Sequence, residues 1–169
     1  MRRRRLSERA INFAKEFNPE LDFYTGSADD IDGEYDIAIA AEVLEHVPDE
    51  RVSEFIVPVA KKTKPGGVAI FTVPTTNVRL NRKHYRHYDA SIIKQQIEAS
   101  GAPLTIEKVE YIFHLPWWLR VYSRLCSNSI LRIEFPFLSK SIWGRVWKKH
   151  RRVGAGDGRH LLAVTRKLV

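Results

Sequence analysis

This sequence predicts a single α/β domain built on a parallel sheet, and three observations carry that prediction. Ile37 to Ala41 is a short unbroken apolar run, the pattern of a strand buried on both faces. Val68 to Val73 is a second such run. Between them Val52, Phe55, Ile56, Val59 and Ala60 trace one stripe of a helix, so strand, helix and strand alternate as in a parallel crossover unit. At 169 residues and 44% hydrophobic, the chain is long enough for one real core and too short for two ordinary domains.

Composition narrows the setting. Cys126 is the only cysteine, so no internal disulfide is possible, and a reducing cytoplasm is expected. Met1 and four arginines are followed by Leu6-Ser7-Glu8-Arg9 rather than an apolar segment, which is not a secretory signal. No window approaches eighteen uncharged apolar residues, so no spanning helix is expected. The net charge of +8 is local: residues 2–5 supply four positive charges and residues 114–157 hold nine Lys/Arg against two acids. Such confinement points to one surface that meets something anionic rather than to a nucleic-acid partner.

The elements follow in order. Ser7 is placed to cap a helix reaching Phe17, with Ala10, Ile11, Ala14 and Phe17 on one face and Asn18-Pro19 ending it. Leu21 to Tyr24 reads as a short strand, and Thr25 to Asp30 as the loop after it. The strand Ile37 to Ala41 ends in Glu42, Glu45 and His46, where open α/β sheets bind their ligands. Asp49 is expected to cap the following helix, and Pro58 to distort its last turn. Pro65-Gly66-Gly67 turns the chain into Val68 to Val73, and Pro74 stops that strand. Thr75 to Lys83 is a polar loop at the same edge. Asp89 caps a helix carrying Ile92, Ile93 and Ile97, with Gly101 just past its end, and Leu104 to Phe113 and Arg159 to Leu168 are the last strands.

The run Y-D-I-A-I-A-A-E-V-L-E-H-V-P-D from Tyr35 to Asp49, followed by Lys64-Pro65-Gly66-Gly67, resembles the class I S-adenosylmethionine-dependent methyltransferases. That resemblance implies a Rossmann-like sheet with helices on both faces and S-adenosylmethionine as cofactor. It also implies that Ser27, Ala28 and Asp29 stand where the family's loop touches adenine, and that Glu42, Val43 and His46 line the cofactor pocket. The family opens with a strand, a G-x-G-x-G turn, a helix and a strand ending in an acid; none precedes Ser7, and by register the acid would fall near Arg5. The expectation is a family member lacking its first strand and most of its second. Those strands belong between Leu21–Tyr24 and Ile37–Ala41, so the isolated chain should be poorly stable or completed by something else.

Val153-Gly154-Ala155-Gly156-Asp157-Gly158 also contains G-x-G-x-G, but neither a strand before it nor a helix after it is expected, so it reads as a turn into the last strand. Glu42 reads equally as a solvated strand-end carboxylate, Glu45 as structural, and His46 as bonded to a backbone carbonyl. His84-Tyr85-Arg86-His87-Tyr88 precedes a helix near the expected substrate mouth. His84 and His87 are candidate general bases for removing a proton from a methyl acceptor; the alternative is a packing cluster at the helix start.

Residues 114–157 form an insert within the single 1–169 domain and hold all four tryptophans. Leu115, Trp118, Leu119, Tyr122 and Leu125 fall at helical spacing, as do Ile142, Trp143, Val146 and Trp147. Two functions stay open for the segment: a lid packed on the domain, or, through residues 114–152, a peripheral contact with an anionic membrane surface. Two functions also stay open for the chain. One is methyl transfer to a small-molecule or lipid-like acceptor without a metal; the other is a non-catalytic, truncated module that binds a membrane surface or a partner.

Overall fold

The computed structural model describes residues 5–126 and 136–169, so most of the N-terminal arginine run and residues 127–135 of the insert lie outside it. Its elements are α1 (Arg5–Phe17), β1 (Tyr35–Ala41), α2 (Val52–Lys61), β2 (Thr63–Pro74), α3 (Ala90–Ala99), β3 (Leu104–Ile112), α4 (Trp117–Cys126), α5 (Pro136–His150), β4 (Arg152–Val153) and β5 (His160–Lys167). The sheet order is β1-β2-β5-β3-β4, with β1 and β2 parallel and β5 antiparallel to both neighbours.

The K-P-G-G turn sets the first pairing. Tyr35 stands opposite Thr63 and Ile37 opposite Val68, an irregularity that absorbs Lys64 to Gly67. A Cβ on Gly67 would stand 2.8 Å from Lys64 O and 3.0 Å from Asp36 O, so only glycine lets the two strands close here. Ala69, Phe71 and Val73 of β2 alternate inward with Leu161, Ala163 and Thr165 of β5 and meet Ile56 and Val59 of α2 and Ile93 and Ile97 of α3. Burying a side chain such as Phe71 or Ile56 contributes about 1.5–3 kcal/mol. α2 runs through Pro58 without breaking, since the Lys62 N–H still donates to Pro58 O at 3.0 Å.

β1 is the edge of this sheet, and Ile37 and Ile39 on its outer face are 59% and 66% exposed. The Leu21 to Tyr24 strand is not formed: the segment has no strand beside it, and an extended chain gains ladder hydrogen bonds only from a neighbour. α1 is already helical at Arg5, so Ser7 sits inside it rather than at its start, and Phe13 and Phe17 are exposed against each other, 4.7 Å between ring centroids. Asp49 does not cap α2; it opens a 3-10 turn, Asp49–Arg51, and gives its carboxylate to Arg86 instead. Asp89 does cap α3, accepting from the Ser91 and Ile92 N–H groups at 2.9 Å.

The glycine-rich segment after β4 is a turn into β5, and Arg152 belongs to a two-residue strand against β3 where none was expected. A Cβ on Gly158 would lie 2.7 Å from the Tyr111 Cβ, while its carbonyl accepts from the Asn77 side chain at 2.9 Å. The turn therefore ties the β2 exit loop to β5. In the insert, Leu119 and Val146 are buried and Trp118, Tyr122 and Ile142 half-buried, whereas Trp117, Leu125, Trp143 and Trp147 face outward.

Candidate active site at the carboxyl edge

Glu42 is the first residue past β1 and has a left-handed backbone, φ +53. A glutamate pays of order 1 kcal/mol or more for that conformation, which persists only where the surroundings hold it. Here they do: the Glu42 N–H donates to Thr72 O at 2.9 Å, and His160, the first residue of β5, places its Nδ1 3.1 Å from Glu42 Oε2. Burial pushes the Glu42 carboxyl up. The hydrogen bond and charge of His160, a hydrogen bond from Thr72 and the charge of His84 outweigh it, so the net pKa lies below the usual carboxylate range.

A carboxyl whose folded pKa is depressed stabilises the fold above its unfolded pKa and loses that contribution as pH falls through the folded value. Glu42→Gln is therefore expected to flatten the stability profile below about pH 4.3 and to leave its shape unchanged above. Urea melts from pH 3 to 7 check it, and identical slopes in both proteins would refute the pairing.

From Val43 the chain enters a 3-10 turn, Leu44–His46, which sends Leu44 and Glu45 inward and leaves His46 at the surface. Arg86 holds this turn from the opposite side. Its guanidinium donates to Leu44 O at 3.2 Å, Val47 O at 2.8 Å and the Tyr88 hydroxyl at 3.0 Å, and pairs with Asp49 at 2.6 Å. Burial pushes the Tyr88 phenol up, against the pull of Arg86 beside it.

The His84 to Tyr88 segment reaches the same edge by backbone pairing. The Tyr88 N–H donates to Pro74 O at 2.9 Å, the Thr76 N–H to Tyr88 O at 3.0 Å and the Tyr85 N–H to Glu45 O at 2.7 Å. For neutral rings the tautomers then follow from the carbonyls they meet. His87 Nδ1 lies 2.8 Å from Val78 O, a pure acceptor, so Nδ1 carries the proton and Nε2 a lone pair. His84 Nδ1 lies 2.9 Å from that Nε2 and must donate to it, which leaves the lone pair of His84 on its own Nε2. By the same argument His46, whose Nδ1 lies 3.0 Å from Lys83 O, offers a lone pair at Nε2.

The structure thus brings together Glu42, Val43, His46, His84 and His87. It does not bring Ser27, Ala28 and Asp29 to them. Ser27 caps a 3-10 turn, Ala28–Asp30, that packs on α2, where Asp29 lies 4.0 Å from Lys61 in the last turn of that helix. Ten residues of α2 separate this point from the His46 end by about 15 Å. Sequence reasoning missed His160 and Arg86. Position 160 carries a usable signal, a polar residue at the first position of an otherwise apolar strand; Arg86 carries none, since its role is set by carbonyls about forty positions away.

A parallel pair closed by an antiparallel strand, with strained and titratable groups at the carboxyl edge, defines an open α/β domain whose ligand site lies beyond the strand ends. Residues 2–127 match the methyltransferase domain family, and the chain belongs to it, within the class I S-adenosylmethionine-dependent methyltransferases. It is 36% identical over 67 residues to a ubiquinone biosynthesis O-methyltransferase of Rickettsia conorii, a match spanning 38% of this chain and 22% of that protein. Among solved structures it resembles the S-adenosylmethionine-dependent methyltransferase of Archaeoglobus fulgidus, with a TM-score of 0.55 at 13% identity over 92% of this chain and 72% of that one. The N-methyltransferase NodS of Bradyrhizobium japonicum, in complex with S-adenosylhomocysteine, gives 0.55 at 14% identity over 94% and 62%.

S-adenosylmethionine is the cofactor of this family. The strand-end residues fit one side of such a group: the half-exposed Glu42 carboxylate is an acceptor for hydroxyl or ammonium hydrogens, and its left-handed backbone opens the strand end.

Proposed function

We propose that this chain catalyses methyl transfer from S-adenosylmethionine to a hydroxyl of a small-molecule acceptor. The observation that carries the proposal is the chain from Val78 O through His87 to His84, which in neutral rings puts the lone pair of His84 on Nε2, at the edge where Glu42 stands. When bound, the cofactor supplies an electrophilic methyl group. Glu42 orients it, with Val43 and His46 alongside. His84 Nε2 takes the acceptor's proton as the acceptor oxygen bonds to the methyl carbon and the C–S bond pair returns to sulfur. His87 keeps the His84 ring in its tautomer and shares the charge it gains.

The acceptor we propose is lipid-like. The name of the Rickettsia relative supports a hydroxyl acceptor with an apolar body. A cavity of about 750 Å³ lined by Ile112, Phe113, Trp143, Val146, Trp147 and Arg151 supports an apolar chain beside a cation. Arg151 lies over the Trp147 ring at 5.5 Å, and the outward Trp117, Trp143 and Trp147 favour peripheral contact with an anionic membrane surface. Among the described residues no helix is long and apolar enough to cross a membrane.

The test is the melting temperature of the full chain with and without millimolar S-adenosylhomocysteine. A ligand at a hundredfold excess over Kd stabilises by about 2.7 kcal/mol, so a saturable rise is expected, diminished in Glu42→Gln. A cooperative melt that the ligand does not move would overturn the enzymatic reading and leave the binding module, for which vesicle flotation is the next assay.

A further inference from the structure

Glu45 carries a buried, unpaired side-chain oxygen. Its side chain is 1% exposed, and Oε2 is enclosed without a hydrogen-bond partner. Arg86 Nε is buried and unpaired as well, while the rest of its guanidinium goes to Asp49, two carbonyls and the Tyr88 hydroxyl. A buried carboxylate oxygen with no donor is costly unless something else compensates it. Glu45 Oε1 lies 3.7 Å from His46 Nε2, and Glu45, His46 and His84 each offer one ligand atom within 4.8 Å of the others.

We propose that Glu45, His46 and His84 bind a divalent transition-metal ion, with Zn2+ the natural fit. The donor set is one carboxylate and two imidazoles, which suits a metal of intermediate softness with an open position for a further ligand. Both histidines turn Nδ1 to an outer partner, His46 to Lys83 O and His84 to His87, and His46 Nε2 lies 3.7 Å from Glu45 Oε1. Metal-ligating histidines are oriented by such an outer hydrogen bond. Ligand atoms around a tetrahedral ion at about 2.1 Å stand about 3.4 Å apart, so the present spacing needs only side-chain rotation. His87 and Lys83 O form the outer shell.

This inference concerns the site of the proposed methyl transfer, and only its consequence rests on that reading. With the ion seated, His84 is a ligand instead of the base. The ion, held by Glu45, His46 and His84, would supply an open position at which an acceptor hydroxyl would become more acidic.

The experiment is calorimetric titration of the chelator-stripped full chain with ZnCl2, without cofactor or acceptor. One ion per chain is expected, weakened at least tenfold in Glu45→Gln and in His46→Ala and unchanged in His150→Ala. Because His46 lies at the surface, its variant folds whatever becomes of Glu45, and far-UV circular dichroism confirms it. Absence of stoichiometric binding, or undiminished affinity in the two site variants, overturns the metal site. The S-adenosylhomocysteine melt fails separately if the methyl-transfer reading is wrong.

Discussion

Arg86→Ala is expected to destabilise the protein by about 2–4 kcal/mol and to loosen the turn that carries Glu45 and His46. The side chain is only 11% exposed and satisfies Leu44 O and Val47 O at once. Removing it leaves Val47 O without its donor and takes one partner from the Tyr88 hydroxyl, at about 1–3 kcal/mol for an orphaned group, while Leu44 O keeps the Val47 N–H at 3.1 Å. The ion pair with Asp49 adds little, because that carboxylate is exposed. Arg86→Lys should recover only part of the loss, since one ammonium cannot reproduce the fork that spans two carbonyls and a phenol. Denaturant melts of the three proteins measure this. A loss under 1 kcal/mol in the alanine variant would mean that the turn holds itself.

His84→Ala is expected to lower the proposed methyl transfer by about 10²–10⁴-fold, whether its Nε2 takes the acceptor's proton or holds an ion that acidifies the acceptor. The fold should survive, because His84 is half-buried and its neighbours in the 84–88 segment are held by backbone hydrogen bonds. His87→Ala should cost less, since it acts through the tautomer of its neighbour. The readout is transfer of labelled methyl from S-adenosylmethionine to a panel of phenols bearing apolar chains, with the S-adenosylhomocysteine melt as a control for cofactor binding. An unchanged rate in His84→Ala would place proton removal elsewhere, Glu42 with His160 being the other pair at that edge.

Much of this fold is written in short-range pattern. Ile37 to Ala41 and Val68 to Val73 became the parallel pair, the stripe from Val52 to Ala60 became α2, and Asp89 capped α3, because apolar period and cap chemistry act within a turn or a strand length. The glycine run at 154–158 forms the expected turn into β5, although the short strand before it was not expected. Leu21 to Tyr24 failed for the complementary reason: a strand is stable only as a pair, and propensity says nothing about whether a partner stands beside it.

The candidate site divides in the same way. The sequence alone placed Glu42, Val43 and His46 at a strand end and put His84 and His87 in a cluster after the next strand. Only tertiary structure decided that the two groups meet, through the Tyr88 backbone pairing with Pro74 and the Tyr85 N–H on Glu45 O. It also decided that His160, 118 residues from Glu42, completes that pair, that Glu45 is buried with Oε2 unpartnered, and that Ser27 to Asp29 lie at the far end of α2. The physical reason is range. Helix stripes, caps and turns are settled among residues a few positions apart, whereas burial, charge pairing and tautomer choice depend on which distant backbone carbonyl or side chain the folded sheet brings within 3 Å.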